Sequence, residues 1–154
     1  MDIRIEKGSL KYLSDCECAL LNSELGRKYF EHEGSGKKAI IEGLEQENLY
    51  VAISNNECVG FVFYIPKGIF HSFPLLHLIS VKDEYRGKGI GNNLMSFLES
   101  LAFENANKIF LVVADFNPDA KHFYEKLGYQ QVGEIPNLYR KGINEYLMMK
   151  EKEV

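Results

Sequence analysis

The spacing of apolar and polar residues divides the first part of the chain into strands and helices. Alternation of the two classes is typical of a half-buried strand, and apolar residues three or four positions apart are typical of an amphipathic helix. The strands predicted in this way are residues 2 to 6, 49 to 53 and 58 to 65. The predicted helices are one or two over residues 9 to 31 and one over residues 37 to 46. The last two strands form a predicted hairpin, which Pro66-Lys67-Gly68 ends.

The pattern of the second half predicts two parallel strands joined by a helix. Residues 75 to 81 and 109 to 114 are nearly continuous apolar segments, as expected for strands covered on both faces. Between them, residues 90 to 105 place their apolar side chains in one helical stripe. A strand, a helix and a strand in this order form a βαβ unit, whose strands run parallel.

A further helix and a final hairpin complete the predicted order of elements. Asn117 is a good N-cap and Pro118 fits the first helical position, so a helix is predicted from there to the C-terminal cap Gly128. Short strands are predicted near residues 129 to 132 and 145 to 150. Because no repeat or linker divides the chain, residues 1–154 predict a single domain of the α/β class, with an α+β mixed sheet.

Composition and charge narrow the class of protein. The chain is 45% hydrophobic and 26% charged, which is typical of a globular protein, and its net charge of -4 disfavours a general nucleic-acid binder. Three cysteines do not make a disulfide framework, and the first residues alternate in charge where a signal peptide would be continuously apolar. No apolar run approaches the roughly 20 residues of a membrane span. We therefore expect a cytoplasmic protein with neither a membrane nor a nucleic acid as its partner.

A glycine-rich segment lies between the first parallel strand and its helix. Three glycines occur within five residues of Arg86-Gly87-Lys88-Gly89-Ile90-Gly91, and glycine lets a ligand approach the backbone closely. The free N–H groups at a helix start carry partial positive charge, to which Arg86 and Lys88 add full charges. The segment therefore predicts a phosphate or pyrophosphate site. Its spacing matches neither the dinucleotide pattern G-x-G-x-x-G nor the Walker pattern.

The same residues carry a resemblance to a known family. Arg86 to Gly91 match the R/Q-x-x-G-x-G/A motif of the GNAT N-acetyltransferase superfamily, and Phe123 to Tyr129 resemble its F-Y-x-x-x-G-F/Y segment. The resemblance covers nearly the whole chain, although residues 7 to 48 and 133 to 145 match only in element order. It implies an acyl-CoA-dependent N-acyltransferase with a GNAT-like fold. That fold has a central mixed, mostly antiparallel sheet with a parallel splayed strand pair, flanked by helices.

The resemblance implies acetyl-CoA as the co-substrate and direct attack by a primary amine in a ternary complex. The pyrophosphate is expected on the residues of the glycine turn, which are Arg86, Gly87, Lys88, Gly89, Ile90, Gly91 and Asn92. Ile79 would supply a backbone N–H to the acyl oxygen, and Val81 would pair with the pantetheine arm. Asn117 would contact the coenzyme or a water, unless the helix cap is its only role. No metal is expected, since the cysteines and histidines lack ligand spacing.

Acyl transfer to an amine needs a base for the ammonium proton and an acid for the departing thiolate. The resemblance places Tyr124 beside the coenzyme sulfur as that acid; the alternative is a tyrosine that only packs in the core. His77 is the candidate base, because it interrupts an apolar strand and an imidazole pKa near 6.5 suits the task. A purely structural histidine is an equal alternative. The other candidate bases are His71, Glu31, Glu33 and a chain of waters.

The sequence does not identify the acceptor, and it leaves two alternative functions open. The expected acceptor is a small-molecule amine or a peptide amine. Tyr139 is a candidate residue of the acceptor site, although the favoured interpretation is that it is a loop residue that covers the core. The alternative functions are a non-catalytic acyl-CoA-binding or sensing module of the same fold and another nucleotide-binding α/β protein. Homodimers are common in the family, but no residue pattern marks an interface.

Overall fold

The computed structural model describes residues 2 to 153, in which strands and helices follow one another in the predicted order. The strands are β1 Arg4–Lys7, β2 Leu49–Ser54, β3 Glu57–Ile69, β4 Phe73–Val81, β5 Lys108–Ala114, β6 Gln130–Pro136 and β7 Asn144–Glu151. The α-helices are α1 Leu13–Leu21, α2 Glu24–Tyr29, α3 Ser35–Glu45, α4 Ile90–Ala102 and α5 Pro118–Lys126. Short 3-10 helices cover Leu10–Tyr12 and Asp83–Tyr85. In residues 2 to 153, no helix is both long and apolar enough to cross a membrane.

The described strands form one mixed sheet in the order β1-β2-β3-β4-β5-β7-β6. The pairs β1–β2, β2–β3, β5–β7 and β6–β7 are antiparallel. Strands β4 and β5 are parallel, with Leu75 opposite Phe110. A mostly antiparallel sheet with one parallel pair confirms the predicted fold class and the predicted direction of the two strands.

The chain forms two compact units. The first unit consists of the chain up to Ile65 together with His77–Leu101. The second consists of Pro66–Leu76 and the segment from Ala102 onward. The prediction of a single domain stays a prediction.

The first unit buries the inner faces of α1 and α3 on the central strands. Cys16, Ala19 and Leu20 lie three and four positions apart on α1, so they form the buried stripe of that helix. They pack in one cluster with Ile40 of α3 and Phe61 of β3. Each fully buried Leu, Ile or Phe side chain of this cluster contributes about 1.5–3 kcal/mol of transfer free energy. Leu78 of β4 belongs to the same cluster, so this core supports the strand that leads to the glycine turn.

The predicted helical stretch over residues 9 to 31 contains two α-helices. The break comes at Ser23, whose hydroxyl accepts the backbone N–H of Gly26 at 2.9 Å and so caps α2. The same hydroxyl donates to the carbonyl of Leu20 at 2.6 Å. A serine that satisfies backbone groups on both sides of a break favours a cap over a continuous helix.

In the second unit, α5 and the antiparallel strands β5, β7 and β6 build a separate core. Ile109, Leu111 and Val113 alternate along β5 and are buried. Met148 of β7 lies opposite Leu111 and is also buried. The nearly continuous burial of β5 confirms the prediction of a strand covered on both faces.

The end predicted for the strand over residues 58 to 65 is wrong. Strand β3 runs through Pro66-Lys67-Gly68 to Ile69, because proline removes one donor but its fixed φ is compatible with extended backbone. The turn comes at Phe70 and His71, whose φ values are 55° and 56°. It is closed by the N–H of Ser72, which donates to the carbonyl of Ile69 at 3.2 Å.

Strand β4 also differs from its prediction, since only one of its faces is fully covered. Pro74, Leu76, Leu78 and Ser80 are buried. On the opposite face Ile79 and Val81 are half-buried and His77 is exposed. An apolar run therefore does not by itself show that both faces are packed, and the open face is the one that carries the candidate residues.

Candidate functional site

The glycine turn has the backbone conformation that requires glycine. Gly87 and Gly89 have φ values of 77° and 84°, in the left-handed region that residues with a side chain rarely adopt. A β-carbon placed on either residue would have no atom within 4 Å outside its chain neighbours. The turn is therefore open to a ligand.

Helix α4 begins directly after this turn and presents free donors. Its first hydrogen bond runs from the N–H of Asn93 to the carbonyl of Gly89, at 3.1 Å. The N–H groups of Ile90, Gly91 and Asn92 precede that bond and so have no acceptor within the helix. The first turn holds no acidic residue, and the exposed Lys88 stands beside it. Together these groups form a suitable environment for an anion.

Arg86, which was predicted to add charge to the phosphate site, is engaged within the protein. Its guanidinium donates to the carbonyl of Val81 at 3.0 Å and to that of Asn22 at 3.1 Å. It also contacts the carboxylate of Asp83 at 3.0 Å. Arg86 therefore anchors the turn and part of its charge is neutralised, so the free positive charge comes from Lys88 and the helix N–H groups.

The open face of β4 brings three predicted residues together. His77, Ile79 and Val81 are alternate residues of the strand and share that face. The N–H of Lys82 donates to Val59 of β3 at 2.8 Å. Because neighbouring residues of a strand direct their N–H groups to opposite edges, those of Ile79 and Val81 point away from β3. These two N–H groups are the ones to which the sequence analysis assigns main-chain roles.

His77 has an environment that favours its neutral form. Its ring meets the ring of Phe63 edge-on, with centroids 5.0 Å apart. Although part of the side chain is exposed, desolvation lowers the pKa of His77 below the usual 6.5, and the carboxylate of Glu42 opposes this shift. At neutral pH the imidazole is therefore mostly unprotonated and able to accept a proton. The alternative bases His71, Glu31 and Glu33 are exposed like His77, but none of them lies on β4.

The second unit holds the other two predicted coenzyme residues. Asn117 caps α5, since its side-chain oxygen accepts the N–H of Ala120 at 3.4 Å. Tyr124 is only 8% exposed, and its ring lies 5.3 Å from that of Phe123 and 6.0 Å from that of Tyr129. Burial raises the pKa of Tyr124, with no charged neighbour contributing, so the phenol keeps its proton at neutral pH.

Two further observations bear on the predicted site. Tyr139, the candidate acceptor residue, is 52% exposed between β6 and β7. Burial, followed by the charge of Glu145, raises its pKa. Among residues 2 to 153, no three His, Cys, Asp or Glu side chains gather as a metal site would require.

The sequence reasoning missed Lys82, a buried cation immediately before the turn. Its ammonium contacts Asp15 at 2.7 Å and Glu57 at 3.1 Å. A lysine at the end of an apolar strand is the only local signal, and it is weak because such a lysine is usually exposed.

Comparison with known proteins agrees with this geometry. The model of the Acetyltransferase (GNAT) family matches residues 18–129. An uncharacterised N-acetyltransferase of Methanocaldococcus jannaschii is 41% identical over 80 residues, which cover 49% of this chain and 51% of that relative. The chain thus spans about half the length of this curated relative.

Solved structures share the fold at low identity. Ard1 from Thermoplasma volcanium aligns over 100% of both chains with a TM-score of 0.82 and 22% identity. An aminoglycoside 6'-N-acetyltransferase complexed with coenzyme A aligns over 96% of both chains, with a TM-score of 0.75 and 22% identity. These likenesses concern the fold, whereas the family match covers most of the sequence itself. The chain therefore belongs to the GNAT family of acetyltransferases.

Proposed function

We propose that this protein is an N-acetyltransferase that moves an acetyl group from acetyl-CoA to a primary amine. The observation that carries the proposal is the open glycine turn before α4, in a chain that belongs to the GNAT family. Gly87 and Gly89 leave the backbone accessible, and the free N–H groups at the helix start suit a pyrophosphate. In this proposal the turn holds the donor, with Lys88 as the neighbouring cation.

The rest of the donor is assigned to the edge of β4 that points away from β3. The N–H of Val81 would pair with the pantetheine arm, and that of Ile79 would donate to the acyl oxygen. A donor at that oxygen stabilises the negative charge that develops when the amine attacks. Asn117 already caps α5 through its oxygen, so its side-chain NH₂ is the group left to contact the coenzyme or a water.

His77 is proposed as the general base. An alkyl ammonium has a pKa of about 10, so the acceptor must lose a proton before its nitrogen can attack. The lowered pKa of His77 makes the imidazole available at neutral pH, and a proton passes to it directly or through water. The new bond joins the amine nitrogen to the acyl carbon, and the bond from that carbon to sulfur breaks. The nitrogen releases a second proton as the amide forms and the thiolate takes up a proton from water, so one proton is released in total.

Tyr124 is proposed as the group that assists the leaving sulfur. Its raised pKa keeps the hydroxyl protonated, as a donor must be. A thiol has a pKa of about 8.5, below that of the phenol, so complete proton transfer to the thiolate is unfavourable. We therefore assign Tyr124 as a hydrogen-bond donor to the departing sulfur, which stabilises the thiolate before it takes up a proton.

The function is tested by titrating coenzyme A and then following thiol release with a panel of amines. The panel contains a polyamine, an aminoglycoside, an amino acid and a peptide with a free N-terminus. We expect coenzyme A to bind and at least one amine to release thiol from acetyl-CoA. Binding without thiol release for every amine would favour the non-catalytic module. If ATP or NAD raised the melting temperature of the protein more than coenzyme A does, the donor assignment would be contradicted.

The base assignment predicts a pH dependence. A base must be unprotonated to act, so kcat should rise with pH and reach half of its plateau below pH 6.5, because the pKa of His77 is lowered. His77→Gln should lower kcat by about 100-fold and remove this acidic limb. The measurement is kcat against pH at saturating substrates.

The control is His71→Gln, which changes the alternative histidine in the exposed turn between β3 and β4. We expect it to keep both the plateau and the limb. If His71→Gln removes the limb and His77→Gln does not, the base has been assigned to the wrong histidine.

A further inference from the structure

We infer that Lys82 is a positioning residue for the coenzyme pyrophosphate, because it ties the base of the glycine turn to two other segments of the first unit. The inference rests on the proposed function, in which the turn binds the coenzyme. Lys82 follows the last residue of β4 and is 9% exposed. The turn begins four residues later, at Arg86.

The ammonium of Lys82 joins the strand end to α1 and to the start of β3. It lies 2.7 Å from a carboxylate oxygen of Asp15 in α1 and 3.1 Å from one of Glu57 in β3. The hydroxyl of Tyr85 donates to the other oxygen of Glu57 at 2.9 Å. Glu57 therefore holds both ends of the short 3-10 helix that leads into the turn.

That helix transmits the position of Lys82 to the turn. The carbonyl of Lys82 accepts the N–H of Tyr85 at 2.9 Å, and the carbonyl of Asp83 accepts that of Arg86 at 3.2 Å. Arg86 is then attached to the carbonyl of Asn22, just after α1. Two cations thus fix the entrance of the turn on the same group of elements.

The turn itself has little packing of its own. Space around Gly87 and Gly89 is empty to 4 Å from a placed β-carbon. The positions of their N–H groups therefore depend on how the two ends of the turn are held, by α4 on one side and by Lys82 and Arg86 on the other. Loss of the lysine would leave this end of the turn held by Arg86 without the second cation.

The charge balance favours a permanent cation at this position. Desolvation lowers the pKa of Lys82, but the hydrogen bonds and charges of Asp15 and Glu57 outweigh it, so the net shift is upward. Removal of the ammonium alone would leave the partly exposed carboxylates of Asp15 and Glu57 without their shared cation, and their mutual repulsion would itself disturb this region. The test therefore also needs a variant in which the carboxylates are neutralised.

The experiment measures coenzyme A binding by calorimetry for four variants and the unaltered chain. Lys82→Met should raise Kd by about tenfold, since a small misplacement of binding groups has an effect of at least this order. The triple variant Lys82→Met, Asp15→Asn, Glu57→Gln should also bind more weakly, although it carries less local negative charge. Lys82→Arg, which keeps the cation, should stay within about threefold.

Lys7→Met is the matched control. Lys7 forms an exposed ion pair with Glu47 at 3.7 Å, and its removal should leave Kd unchanged. Unaltered binding in both Lys82→Met and the triple variant would overturn the inference while the proposed function stands. If the unaltered chain itself does not bind coenzyme A, the proposed function fails and the inference fails with it.

Comparison of two donors separates positioning from a general loss of structure. S-acetylpantetheine carries the same thioester and arm as acetyl-CoA but no pyrophosphate. Lys82→Met should raise KM for acetyl-CoA about tenfold with kcat unchanged and leave kcat/KM for S-acetylpantetheine within about twofold. An equal loss with both donors would show that Lys82 stabilises the fold without positioning the pyrophosphate.

Discussion

Tyr124→Phe is expected to lower kcat by about two orders of magnitude and to leave the Kd for coenzyme A unchanged. The substitution removes only the hydroxyl, because a phenylalanine ring can keep the contacts with Phe123 and Tyr129. The ring stays packed in the second unit, so the stability of the protein should change little. Steady-state kinetics at saturating donor and calorimetric titration of coenzyme A measure the two quantities separately.

Tyr50→Phe is a matched control for this change. Tyr50 also packs against an aromatic ring, that of Phe97 at 4.8 Å, but it belongs to the first unit and has no proposed role in the reaction. Its kcat should equal that of the unaltered chain. A Tyr124→Phe enzyme with normal kcat would remove the hydroxyl from the mechanism, and the leaving thiolate would then need a different hydrogen-bond donor.

Gly89→Ala is expected to weaken coenzyme A binding by at least about tenfold. The new β-carbon would force a residue with a side chain into the left-handed region at φ 84°, at a cost of about 1–2 kcal/mol. It would also project into the open space from which the pyrophosphate approaches. Calorimetric titration of coenzyme A measures the change, and thermal unfolding measures the strain.

Gly142→Ala separates the strain from the effect on the ligand. Gly142 has the same φ of 84° and the same empty surroundings, but it lies between β6 and β7. Both variants should lower the melting temperature by a similar amount, and only Gly89→Ala should raise Kd. Equal Kd values for the two variants would argue against a pyrophosphate on the turn.

For the two proposed catalytic residues, the sequence predicts the chemical group but not its environment. The family motif pointed to Tyr124, but its buried environment and its raised pKa became visible only in the structure. These two properties change its proposed role from a full proton donor to a hydrogen-bond donor. His77 is a candidate from the sequence because it interrupts an apolar strand. Its contact with Phe63 arises because β3 and β4 are neighbours in the sheet. The chemical identity of a group is a local property, and its pKa is set by neighbours that are distant in sequence.

Some elements were misplaced for reasons that concern packing. Pro66 predicts the end of a strand, but β3 continues past it. The missing backbone N–H of the proline is tolerated at this position. The apolar run of β4 suggested two covered faces, yet one face is partly open. Hydrophobicity reports that a residue prefers burial, and the arrangement of other elements decides whether that burial is available.

The local features of this protein can be predicted from its sequence alone. The order of strands and helices, the cap at Asn117 and the glycine positions of the turn follow from periodicity, capping and φ preferences, which act over a few residues. The contacts that fix the glycine turn are visible in the tertiary structure alone. Arg86 is bonded to Asn22, 64 positions earlier, and Lys82 to Asp15, 67 positions earlier. Contacts over such separations follow from the packing of whole elements, and no residue spacing records them.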